Sequence, residues 1–236
     1  MRPIVKGRPL KNGKEVSFGK YGEARPYLEN NTGHYCHFCE MPVKNSPAVE
    51  HIKPKALHPL LVCDWDNLML ICTYCNSGKT KKSIEMDDYY WPHQHNTYYI
   101  FDYNIEEIFG KKGLPSVSDT LTQTQQEKAQ RTIDLYKLRV LSSKNGDIDR
   151  RLKFRLEAIS KAIACKQEYQ KQKITEDAIY LMAEAAGFWS VWFSVFKDEP
   201  KVLAKLLTFK GVHIASFDTN NYDPIPRNPH NPIDSI

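Results

Sequence analysis

Apolar positions along this chain follow two different patterns. In the first half they come as short runs. AVEHI, at residues 48–52, and LMLIC, at 68–72, each read as a β-strand, the first ended at Lys53-Pro54 because proline cannot donate to a ladder. HQHNTYYIFDYN, near 93–104, also has β character and is expected to pair as a hairpin. Helical spacing is sparser here. KYGEARPYLENNTG carries Ala24, Tyr27 and Leu28 on one side, Pro26 in a first turn and Gly33 as a stop. The charged stretch from Asn76 predicts a helix to about Trp91, stopped by Pro92. In the second half helical spacing dominates. Ala129, Ile133 and Tyr136 form one stripe, and Leu152, Leu156, Ile159 and Ile163 another. Thr175 precedes a predicted helix rich in large apolar groups, Leu181, Phe188, Trp189, Trp192, Phe193 and Phe196, and VLAKLLTF predicts a further short helix. Asn145-Gly146 and Asp198-Glu199-Pro200 are breaks.

These patterns predict an α+β protein: a small ββα unit clipped by metal, then a mainly α-helical C-terminal region. The expected divisions are a basic arm with a short helix at 1–32, a compact unit at 33–109, a Ser/Thr/Gly-rich linker at 110–124, a helical region at 125–218 and an extended tail at 219–236. No internal repeat is visible. The proline- and asparagine-rich tail cannot form a core and is expected to lie extended or against a partner.

Composition narrows the class. The 236 residues are 41% hydrophobic and 26% charged, with no apolar run long enough to span a bilayer. The N-terminal positive charges are not followed by an apolar segment, so no secretory signal is read and a cytoplasmic location is expected. A net charge of +5 permits a nucleic-acid partner without demanding one. Arg2, Lys6, Arg8, Lys11, Lys14 and Lys20 are opposed in their stretch only by Glu15, and are expected on a solvated arm.

Six cysteines are present, four of them as two C-x-x-C pairs: Cys36 with Cys39, and Cys72 with Cys75. In a reducing compartment such pairs favour zinc over disulfides, and four thiolates form a closed structural site. His34 and His37 are alternative ligands, although four thiols already fill a tetrahedral site. His93 and His95 are read as surface loop histidines, with metal ligation as the alternative, and Cys63 and Cys165 as buried thiols.

Three further groups sit inside or beside the clip. Glu50 and His51 are adjacent, supplying a hard oxygen ligand and an imidazole suited to general-base work. Asn67 heads the second strand, where its amide can pin a loop through donated and accepted bonds. Asn76 follows Cys75 directly. It is a natural helix cap, or an oxygen ligand beside Glu50. Carboxylate, amide oxygen and water would suit Mg²⁺ or Mn²⁺.

Taken in order, C-x-x-C, E-H, D-N, C-x-x-C-N and lysines from about Gly33 to Lys82 resemble the HNH, or ββα-metal, endonucleases that carry a four-cysteine zinc clip. The resemblance implies His51 as general base, Glu50 and Asn76 as holders of the catalytic metal, and Asn67 as the residue orienting the catalytic loop. It implies zinc on Cys36, Cys39, Cys72 and Cys75. Glu50 stands where many members have Asp, and Asn76 where others have His. Lys53, Lys55, Lys79, Lys81 and Lys82, with the N-terminal arm, are expected to meet DNA or RNA phosphates.

The run from Val49 to Lys79, with AQRTIDLYKLR further on, is similar to the PtuB-type nucleases of Septu and retron antiphage systems. These work beside a PtuA-like ABC-type ATPase, which implies the same kind of partner and a docking or substrate role for the helical region. Two non-catalytic readings remain beside the nuclease: a zinc-stabilised nucleic-acid-binding module, and an ATPase-binding adaptor.

Overall fold

A computed structural model describes residues 1–45, 47–79, 83–106, 112–142 and 145–227. Lys81 and Lys82 lie outside the described residues, as does the end of the tail after Arg227.

The chain opens with a small antiparallel hairpin, β1 (Leu10–Lys11) and β2 (Lys14–Glu15), followed by helix α1 (Arg25–Thr32). Pro26 lies in the first turn of α1, where its missing N–H costs nothing, and Gly33 ends the helix at φ 79°. Strands β3 (Ala48–His51) and β4 (Leu68–Ile71) pair antiparallel, with Glu50 opposite Met69 and His51 opposite Leu68. Helix α2 (Thr73–Gly78) follows at once and completes a ββα unit. Helix α3 (Thr97–Ile100) leads into β5 (Phe101–Tyr103), which pairs with β6 (Pro115–Val117). Among the described residues five further α-helices follow: α4 (Gln123–Leu135), α5 (Arg150–Gln170), α6 (Glu176–Ala186), α7 (Trp189–Val195) and α8 (Pro200–Leu207). No helix among the described residues is long and apolar enough to cross a membrane.

Several expectations change. The helix that holds Asn76 ends at Gly78 rather than near Trp91, and among the described residues up to Trp91 a short 3-10 turn, Met86–Asp88, is the helical structure that follows. The cause is packing: a Cβ at Gly78 would lie 3.1 Å from the Tyr136 carbonyl oxygen, so α2 abuts the helical half there. The aromatic segment after Thr175 is two helices. Gly187 at φ 73° and Phe188 at φ 55° turn the chain between α6 and α7. The 110–124 stretch contributes β6, and a third of 93–104 is helix α3, capped by the Asn96 side chain.

The N-terminal arm is not solvated throughout. Arg2 is buried and donates to the Thr32 carbonyl at 2.8 Å, and Lys6 is buried and donates to the Trp65 carbonyl. Burial depresses the Lys6 ammonium to about 8, against the pull of Asp66 and Asp64. Those two cations are spent on carbonyls inside the protein.

One continuous apolar core includes residues from both halves. Phe38, between the cysteines of the first pair, stacks on Tyr136 with ring centroids 3.7 Å apart. Thr132 Oγ1 accepts the Tyr90 N–H at 2.8 Å. Much of AQRTIDLYKLR is therefore built into this core.

Glu40, in the turn after Cys39, is buried and accepts bonds from the Arg2 N–H (3.0 Å), the Ser190 N–H (2.8 Å) and the Ser190 hydroxyl (2.7 Å). A buried carboxylate demands such donors, and removing it strands them. Glu40→Ala is expected to lower unfolding free energy by about 2–4 kcal/mol, read from urea unfolding followed by tryptophan fluorescence. A change within error would show that these bonds add no net stability.

Candidate active site and metal clip

The two C-x-x-C pairs arrive from different directions. Cys36 and Cys39 lie in a tight turn braced by Cys36 N–H to Met41 O at 2.9 Å and Glu40 N–H to Cys36 O at 3.0 Å. Cys72 caps α2, accepting the Cys75 N–H at its Sγ, and Cys75 sits one turn in. All four are buried, and their sulfurs lie within 4.8 Å of one another. Cys39 Sγ and Cys72 Sγ are 3.6 Å apart. A tetrahedron of metal–sulfur bonds of ~2.3 Å has edges of about 3.8 Å, so the four are positioned to bind one structural metal.

Such a tetrathiolate set concentrates negative charge. Arg151 of α5 answers it by donating to Cys75 Sγ at 3.6 Å, and to the Tyr136 and Lys137 carbonyls at 3.0 and 2.9 Å. Asp149 holds the guanidinium with a 2.9 Å bond. Burial opposes the Arg151 charge, but Asp149 and the nearby thiols outweigh it and raise its pKa. No sequence signal pointed to this residue.

His37 is not part of the clip. Its Nε2 lies 2.8 Å from Thr32 Oγ1, whose own proton goes to Leu28 O, and its Nδ1 accepts the Leu70 N–H. Burial holds it neutral, with a pKa of about 3. His34 is exposed near Glu29, and His95 Nδ1 accepts the Trp91 N–H.

The ββα unit places the remaining candidates. His51 ends β3, almost fully covered, with Nε2 2.9 Å from the Val62 carbonyl oxygen. A carbonyl only accepts, so Nε2 carries the proton and Nδ1 keeps its lone pair. Burial lowers the His51 pKa, helped by Lys55 and Lys79 and opposed by Val62 and Glu50, so the imidazole is neutral at pH 7. Tyr21 meets the ring edge-on at 4.7 Å.

Val62 is held where His51 needs it by Asn67. The Asn67 Oδ1 accepts the Lys53 N–H at 2.7 Å, while Nδ2 donates to Lys53 O at 3.2 Å and Leu61 O at 3.0 Å. One side chain thus joins both ends of the loop between the strands, and the next carbonyl along is the one that orients His51.

Glu50 is half-buried. Its Oε1 accepts Lys79 Nζ at 2.7 Å, and the same ammonium donates to the His51 carbonyl. Burial lowers the Lys79 pKa against the raising effect of Glu50. Lys79 therefore points inward, its side chain 3% exposed. Asn76 is exposed on α2, and Lys53 and Lys55 flank the loop, Lys55 Nζ lying 5.0 Å from the Tyr21 ring. As donors, Glu50 Oε2 and the Asn76 amide oxygen fit a hard divalent ion. Neither has a hydrogen bond among the described residues.

The arrangement is a ββα unit carrying an imidazole, a carboxylate and four cysteines positioned to bind a metal. A family model described as HNH endonuclease matches residues 36–82, about a fifth of the chain, so these residues form an HNH domain. No curated protein matches the chain.

Asn67→Ala is expected to cost about 1–3 kcal/mol of unfolding free energy, because three backbone groups lose their partner. Amide exchange at Lys53 should speed up in the same variant. Unchanged exchange there would mean that the loop is held by something else.

Proposed function

We propose that this protein is a metal-dependent endonuclease that hydrolyses phosphodiester bonds in DNA or RNA. The observation that carries this reading is the 2.9 Å bond from His51 Nε2 to Val62 O, beside Glu50. It leaves a neutral, basic Nδ1 at the end of a ββα strand, in a domain matched by the HNH model.

In this reading His51 Nδ1 takes a proton from a water molecule as the water oxygen attacks phosphorus. The bond to the 3′ oxygen breaks, leaving a 5′ phosphate and a 3′ hydroxyl that draws its proton from solvent. Glu50 and Asn76 would hold Mg²⁺ or Mn²⁺, which when bound supplies positive charge to the phosphate and leaving oxygens. Cys36, Cys39, Cys72 and Cys75 would hold zinc. Tyr21 packs against the His51 ring and limits its rotation.

Plasmid nicking in Mg²⁺ or Mn²⁺ should fall at least about a hundredfold in His51→Ala; equal cleavage would end the assignment. In the wild type, the acid limb of the pH–rate profile should fall below the ordinary imidazole value of about 6.5. The sign follows from the lowered pKa: the basic form persists to more acid pH before protonation removes it. A limb at or above the ordinary value would exclude His51 as the base.

Lys79 competes for Glu50. An ammonium and a divalent ion on one carboxylate repel each other, so removing the ammonium should favour the ion. Lys79→Met is expected to bind Mn²⁺ at least about tenfold more tightly, measured by the paramagnetic resonance of free Mn²⁺. Weaker binding would mean that Lys79 supports the ion site rather than competing for it.

The finer placement is as the nuclease of a PtuB-type antiphage system regulated by an ABC-type ATPase. It rests on the likeness of the run from Val49 to Lys79. Cleavage measured with and without an ATPase encoded beside it separates a regulated nuclease from an adaptor.

A further inference from the structure

A second feature lies on the far end of α2. A cavity of about 400 Å³ opens between the turn after the first cysteine pair and the start of α5. That size falls within the range of about 300–1,000 Å³ common to ligand pockets. Lys44 and Asn45 form one wall, Thr73 and Tyr74 another, and Arg150 and Phe154 the third. Lys44 and Arg150 are exposed, and neither has an ion pair or side-chain hydrogen bond among the described residues. No carboxylate of the described residues lines the cavity. Glu157 lines an adjoining hollow together with Lys161. Phe154, which lines the cavity, is 39% exposed, so its ring face is open to an occupant. Cys72 forms part of the floor, but its thiolate is buried, and Arg151 offsets the charge of the clip beneath.

Unpaired cations beside aromatic rings are the pairing that takes a nucleotide: ammonium and guanidinium for the phosphate, ring faces for the base. The position fits as well. Thr73, Asn76 and Ser77 are exposed and spaced to share one face of α2. The cavity therefore lies about one turn, ~5 Å along the axis, from Asn76. A strand leaving the His51–Glu50 centre along this face would reach it. A base inside a duplex offers no free face for stacking, so the occupant must be unpaired.

We propose that this cavity is a nucleotide subsite. Lys44 and Arg150 hold a backbone phosphate, and Phe154 with Tyr74 stacks an unpaired base of the strand being cut. The proposal rests on the nuclease reading for its substrate, but binding tests it separately from cleavage.

The test uses full-length, metal-loaded protein without added Mg²⁺ or Mn²⁺, and a fluorescein-labelled 12-mer as single-stranded DNA, single-stranded RNA and blunt duplex. Anisotropy titrations are run at several salt concentrations. Wild type should prefer one of the single strands to the duplex. Lys44→Ala/Arg150→Ala should weaken that binding at least tenfold and flatten the salt slope by about 0.7, the value for one phosphate. Phe154→Ala should weaken it about tenfold with the slope unchanged. Lys153→Ala, exposed on α5 but outside the cavity, is the control and should bind as wild type. Metal content and circular dichroism verify the fold of each variant.

Unchanged affinity in both cavity variants overturns the subsite even if the protein cuts. Loss of binding in both supports it even if no cleavage is found, which would instead count against the nuclease. If only the double variant weakens and poly-glutamate displaces the oligonucleotide equally well, the cavity takes acidic protein segments and the proposal fails.

Discussion

The four-cysteine clip is the constraint on which the rest of this protein is built. Its two halves come from a turn before the strands and from the first turn of the helix after them. Closing it fixes where α2 begins relative to β3, and so where Asn76 and Lys79 stand relative to Glu50 and His51. The clip is also the point of contact with the helical half. Phe38 of the first pair stacks on Tyr136, Arg151 donates to Cys75, and the turn residue Glu40 takes three bonds from Arg2 and Ser190. A cluster of thiolates is costly to bury without compensating charge, and Arg151 places that compensation on α5.

The catalytic candidates illustrate a division of labour. His51 is set by a backbone carbonyl, that carbonyl by a loop, and the loop by Asn67. Each bond is ordinary, near one net kcal/mol, yet together they determine which imidazole nitrogen is basic. Glu50 is tuned differently. Its nearest cation is Lys79, buried with it and sharing the His51 carbonyl. A lysine so placed occupies one carboxylate oxygen and stands in the way of another cation.

The pattern of short apolar runs followed by helical stripes located β3, β4 and the helices of the second half. Where it failed, packing had overridden local propensity. The charged stretch after Asn76 has helical composition, but Gly78 lies against the Tyr136 backbone and the helix stops. The aromatic segment reads as one helix because its period is intact on both sides of Gly187. Only the backbone conformation there, with Pro42 pressed close, shows the turn. Arg2 and Lys6 looked like a basic arm, yet both are buried against carbonyls of segments distant in sequence.

Of the site, the sequence by itself determined the chemistry available: paired thiols, a neighbouring acid and base, and amides at the head of the second strand and the start of the helix. Motif spacing carries such information because metal ligands and adjacent side chains are constrained locally. It could not say which nitrogen of His51 is free, that Lys79 turns inward, or that Arg151 faces the clip. Those depend on the Val62 carbonyl, the Glu50 carboxylate and the start of α5 arriving at particular points. Only the tertiary structure decides that, because a backbone carbonyl has no side-chain identity to read, and a long cationic side chain goes wherever folding brings its partner.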